Sequence, residues 1–207
     1  AEHDTATIVE VSNGGKTLKL SKSGKWTHLG PVADIEGKTV DMGAEVAVLS
    51  RNVVVQGDEL TTRHHYGATI MMNDPRIQCP NGPGPDCLSS LSKLMVINSE
   101  VRHCGQGARL GKYCIHYHLS GSVDKSIVSG TTIHHSHNRA VAVHGVHDLR
   151  LLDNVAYNVK GHTFFLEDGI EQNNVLDGNL AIWTRKAHAG LNTDTTPACF
   201  WLTHPNN

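Results

Sequence analysis

The sequence predicts an all-β chain folded as a right-handed parallel β-helix, a solenoid whose rungs are about 24 residues long. Three observations carry that prediction. An internal repeat aligns Ile127-Val128-Ser129-Gly130, Leu151-Leu152-Asp153-Asn154 and Val175-Leu176-Asp177-Gly178 at two successive offsets of that length. Apolar residues come as short β-branched runs such as Val53-Val54-Val55, and aromatics are only 5% of the 207 residues, with no long stripe of helical period. Between the runs stand Gly, Asn, Asp and Ser, which tolerate the left-handed conformations of tight bends.

Taken in order, TATIVEV, KTLKL, AEVAVLS and NVVVQG within residues 1–60 read as leading strands, with turns at Asn13-Gly14-Gly15 and Gly57-Asp58. Met95-Val96-Ile97 and Ile115-His116-Tyr117-His118-Leu119 read as an early, longer rung interrupted by the HCGQGARLGKYC excursion. Further on, Ala140-Val141-Ala142-Val143-His144-Gly145 lies over Phe164-Phe165-Leu166-Glu167-Asp168-Gly169, again one repeat later. Successive strand residues face opposite ways, so VAVHG and NVAYNV turn apolar side chains inward and polar ones outward. Of Phe164-Phe165 and Phe200-Trp201, at least one of each pair should face the core. Asn154, Asn174 and Asn179 fall at or near bends, where stacked rungs align them into asparagine ladders.

Residues 1–207 are therefore expected to be one β-helix segment, with 1–60 leading and 95–207 forming regular rungs. Neither end carries an evident polar cap, and FWLTHPNN reads as the opening of another rung. The expectation is a segment of a longer helix, with flanking parts of the same protein or neighbouring copies as partners.

Eighteen Lys and Arg against 20 Asp and Glu give no electrostatic case for a nucleic-acid partner or an anionic membrane. No stretch approaches the ~20 apolar residues of a membrane span, so direct membrane insertion is not expected. Among five cysteines, Cys79 and Cys87 bracket a short Pro/Gly loop suited to a disulfide, which favours an oxidising, extracellular setting. Cys104 and Cys114 are candidates for a second bridge or for buried thiols, and Cys199 is left odd. No Asn-x-Ser/Thr sequon occurs.

Five blocks in order, AEVAVLSRNVVVQGD (44–58), LGKYCIHYHLSG (110–121), NRAVAVHG (138–145), GHTFFLEDGIEQNN (161–174) and FWLTHPNN (200–207), carry a family resemblance. Across residues 44–207 the chain resembles the β-helix region that follows the G8 domain in the family of cell-migration-inducing hyaluronan-binding protein, transmembrane protein 2 and fibrocystin-L. The resemblance implies a secreted or cell-surface location and, for two members, hyaluronan binding or depolymerisation, whereas fibrocystin-L is regarded as receptor-like. A G8 domain proper is not recognisable here, and a shared fold does not fix an activity.

Fifteen histidines, several times the usual share, mark where chemistry could sit. His116 and His118 alternate on one strand and share a face; His144 lies close to one rung after His118, and Asp168 one rung after His144. Stacking at ~4.8 Å would align His118, His144 and Asp168 in a column, with His116 beside them. Imidazoles and a carboxylate so arranged are candidate ligands of a divalent transition metal, Zn, Cu, Ni or Mn, through His116, His118, His144 and Asp168. The metal-free alternative makes Asp168 or Glu167 a general acid or base on a glycosidic bond, with His144 or His162 tuning it and Arg139 or Arg185 holding a uronate carboxylate. Against these stand bland readings: His116, His118 and His144 as a hydrogen-bonded ladder, His64-His65 and His134-His135 as diverging surface pairs, and Asp194 as an Asx-turn residue. The functions in competition are a glycan-binding or glycan-cleaving β-helix, a structural or adhesion module, and a metal-dependent binding protein without turnover.

Overall fold

The computed structural model describes residues 2–74, 92–187 and 194–207. The chain forms two compact units, one ending at Ala47 and one running from Val48 to Asn207. The first holds two antiparallel hairpins, Ile8–Ser12 with Thr17–Leu20 and Val32–Ile35 with Lys38–Asp41. Its first turn falls at Asn13–Gly15, as expected, with Gly14 and Gly15 both at positive φ. The single-segment expectation is thus corrected: local hairpin pairing, not rung stacking, organises the unit that ends at Ala47, and residues 44–50 form no strand.

The second unit is a parallel β-helix of three sheets. Sheet A stacks Met95–Ile97, Ile127–Ser129, Arg150–Leu152 and Val175–Asp177. Sheet B stacks Val53–Gln56, Ser99–Arg102, Thr132–His134, Val155–Lys160 and Leu180–Arg185. Sheet C stacks Ile70–Asn73, Ile115–Ser122, Val141–His147, Phe164–Leu166 and Phe200–Trp201. Every pairing within these sheets is parallel.

The register refines the repeat. Leu151 pairs with Val128 on one side and with Leu176 on the other, so one rung is a residue shorter than the apparent period and the next a residue longer. The period read from the sequence is the mean of two unequal rungs. A one-residue slip would turn each strand inside out, and burial decides against it. Val128 and Leu151 are fully buried in the core with Val96 below them, while Leu176 packs against it. Parallel columns Val101, Ile133, Ala156 and Ile115, Val141, Phe164 complete the interior. Each such buried side chain of Val, Leu, Ile or Phe size stabilises the coil by about 1.5–3 kcal/mol.

Bends are closed by the expected asparagines. Nδ2 of Asn154 donates to the Val128 carbonyl and to Oδ1 of Asn179, both at 2.9 Å, and Asn174 makes the equivalent bonds to Val146 and Asn207. Cys104 and Cys114 form a disulfide, and Cys199 is a free, exposed thiol. The pairing expected of Cys79 and Cys87 lies outside the described residues. No helix among the described residues is long and apolar enough to cross a membrane.

Candidate functional site

Sheet C gathers most of the residues that the sequence nominates. In Ile115–Ser122, Ile115 and Tyr117 belong to the core, so His116 and His118 face outward. His144 pairs in register with His118 from the next rung. The ring centroids of His118 lie 5.0 Å from His116 and 4.9 Å from His144. One ligand atom from each of the three falls within 4.8 Å of the other two.

The carboxylates arrive differently from the expected column. Val143 pairs with Leu166, and the Glu167 amide donates to the Val143 carbonyl, which puts Glu167 rather than Asp168 above His144. Asp168 lies past the strand and reaches back, its Oδ2 at 2.9 Å from His144 Nε2. Glu167 Oε2 is 3.9 Å from His144 Nδ1. The bend that allows this is held by Glu171, fully buried, whose carboxylate accepts the amides of Gly145, Asp168 and Gly169. Gly169 sits there at φ 76°.

Arg139 belongs to the site, but not as a hand for a uronate. Its guanidinium is 2% exposed: Nε and one terminal nitrogen bind the two oxygens of Asp194 at 3.0 and 2.6 Å, and the other donates to the Tyr113 hydroxyl at 2.9 Å. The same group lies 3.4 Å from Glu167 Oε1 and 4.1 Å from the centre of the Phe165 ring. A cation so enclosed and multiply bonded is a strut for Glu167 and Phe165. Arg185 is not brought to the site, because it extends from sheet B, bonds Asn158 at 2.7 Å and stacks on Trp183. His162 is buried as well. Its Nδ1 accepts the Ala198 amide, its ring stacks on Phe165, and Nε2 faces Asp194 at 3.8 Å. That environment makes it a packing and positioning group, not one presented to solvent.

Burial pushes His116 down to about 4 despite the opposing bond to the Gly111 carbonyl, and lowers His118, with His144 adding to the effect. Both are neutral nitrogen donors at neutral pH. Asp194, read from sequence as a turn residue, is instead 4% exposed and the main partner of Arg139. The signal that could have found it is Arg139 itself, since an Arg leading into a buried apolar strand calls for a carboxylate from somewhere. His134 and His135 do not diverge: their Nδ1 atoms meet at 2.7 Å, because His135 adopts a left-handed φ of 54° that breaks strand alternation.

The profile of the CEMIP beta-helix family matches residues 87–207. The chain belongs to that family. It is 34% identical to fibrocystin-L of Mus musculus over 100% of this chain and 5% of that protein. It is 31% identical to the cell surface hyaluronidase CEMIP2 of Homo sapiens, over 92% of this chain and 15% of the relative. To the cell migration-inducing and hyaluronan-binding protein of Homo sapiens it is 30% identical, over 92% of this chain and 16% of the relative. The chain thus spans only a small part of these relatives.

Proposed function

We propose that the outer face of sheet C binds an extracellular, hyaluronan-like glycan and cleaves it. The observation that carries this reading is the placement of two partly exposed carboxylates, Glu167 and Asp168, beside His144 and close to His116 and His118. Convergent ionisable groups of this kind favour acid–base chemistry, here at a glycosidic bond. Asp168 and His144, 2.9 Å apart, can share a proton, and Glu167 is braced by Arg139. Trp201, 42% exposed and in register with Phe165, offers an aromatic surface on which a sugar ring can stack. In the same reading the histidines hold a divalent transition metal that supports the chemistry, and the protein works in a secreted or cell-surface setting. The names of the hyaluronidase and hyaluronan-binding relatives support the choice of glycan.

The test is binding and reducing-end release with defined hyaluronan oligosaccharides, comparing the native chain with Glu167→Gln, Asp168→Asn and Trp201→Ala. Glycan bound with release lost in the two carboxylate variants is the expected result. Binding and release that survive all three would remove this face from consideration. A structural or adhesion role without turnover is the second reading, favoured by the match to fibrocystin-L, and binding without release in the native chain would select it.

A further inference from the structure

The three outward imidazoles of sheet C are supported as metal ligands are supported. His116 gives its Nδ1 hydrogen to the Gly111 carbonyl at 2.9 Å, which leaves Nε2 with the lone pair, and that Nε2 is buried without a hydrogen-bond partner. Nδ1 of His118 is also buried and unpartnered. His144 is oriented by Asp168, a carboxylate–histidine pairing typical of metal sites. Other buried histidine nitrogens lack partners, on His137 and His147. Only His116, His118 and His144, however, form a group that brings three potential ligands together among the described residues. Buried polar atoms left unpaired are costly, and a cation shared among these nitrogens removes that cost.

We infer that His116, His118 and His144 hold one divalent transition metal, with Asp168 orienting His144 from outside the ligand set and a fourth coordination position left open. This differs from the four-ligand set suggested by the sequence, in which Asp168 coordinates directly. Three imidazoles favour ions of the zinc, copper and nickel class over calcium and magnesium, which take oxygen ligands. With an open position such an ion acts as a Lewis acid and lowers the pKa of water, next to Glu167. The inference deepens the glycan reading and rests on it for the use of the metal, while binding of the metal is tested separately.

The experiment is titration of the metal-free full chain with Co2+, read by visible absorption. One equivalent should give a saturating d–d band that Zn2+ abolishes and excess Ca2+ or Mg2+ leaves in place. His118→Ala and His144→Ala should lose the band, and Asp168→Asn should keep one equivalent with affinity weakened about 10–100-fold. His134→Ala, on sheet B, should bind like the native chain. Should a variant fail to fold, the imidazole 15N resonances of the native chain decide, since Zn2+ should shift those of His116, His118 and His144 together. No stoichiometric binding by the folded native chain, unchanged affinity in His118→Ala and His144→Ala, or preference for Ca2+ would overturn the inference. Metal bound without any glycan binding would count against the glycan reading alone, and glycan bound without metal would count against this one alone.

Discussion

Arg139 and Asp194, far apart in the chain, form a bidentate ion pair in which both side chains are almost fully buried, 2% and 3% exposed. Such a pair is weak evidence of net stability, but breaking it leaves one charge buried without its counterpart. Asp194→Ala should therefore destabilise the chain by about 3–5 kcal/mol, measured by urea unfolding. Asp194→Asn, which keeps one acceptor oxygen, should cost less. The double variant Arg139→Met with Asp194→Leu should recover much of the loss, because neither charge then remains. A double variant no more stable than Asp194→Ala would instead show that the bonds of Arg139 to Tyr113 and Glu167 matter as much as its tie to Asp194.

Asn154 closes a bend between rungs and is completely buried. Its Oδ1 accepts the Thr131 amide at 3.0 Å while Nδ2 serves Val128 and Asn179. Asn154→Ala strands a buried donor and a buried acceptor, and should cost about 2–4 kcal/mol in thermal or urea unfolding. Asn154→Asp should be no better, since a carboxylate would face two acceptor oxygens in place of donating to them. A neutral effect of either change would mean that water replaces the ladder.

His135 and His137 contribute to the acid limit of stability, alongside the other histidines that burial keeps neutral. Burial pushes both down to about 4. The charges acting most on His137 are Lys160, His65, His103 and His135, and those on His135 are His134, His103, Arg185 and Arg102, all bases. In the unfolded chain these histidines protonate near 6.5, so below that pH the unfolded state binds more protons than the folded one. Stability should accordingly be complete above pH 6.5 and fall as the pH drops toward 4. The slope should be up to about 1.4 kcal/mol per pH unit for each histidine kept neutral. His137→Asn should flatten that slope, as read by urea midpoints at a series of pH values; an unchanged slope would assign the acid sensitivity to other groups.

The solenoid was legible because its signals are local: short β-branched runs, bend residues and a regular repeat. What the repeat could not supply was the register, since a shorter and a longer rung average to the same period while moving Glu167, not Asp168, above His144. The histidine face was legible for the same reason as the core, because His116 and His118 alternate on a strand whose inward positions are apolar. Asp194 was not, since it lies outside every strand, beyond Leu180–Arg185 of sheet B, and leaves no periodic trace. His134 and His135 were misread because strand alternation fails at a residue of left-handed φ, and histidine gives weaker notice of that conformation than glycine.

The Cys104–Cys114 disulfide links the fold to the proposed metal ligands. It closes the loop that carries Gly111, whose carbonyl fixes the tautomer of His116, and Tyr113, whose ring lies 4.8 Å from His116 and whose hydroxyl receives Arg139. The same loop has a second anchor, because Nδ2 of Asn138 donates to the carbonyls of Gln106 and Arg109 at 2.7 and 2.9 Å. Replacing both cysteines by alanine should remove about 2–3 kcal/mol of stability, the loop-closure value for a loop of this length. If the disulfide is what holds Gly111 against His116, Co2+ affinity should fall about tenfold in the folded double variant, as for loss of other groups that orient a ligand. A destabilised variant with native affinity would assign that task to Asn138, and Asn138→Ala should then weaken the metal where the cysteine pair did not.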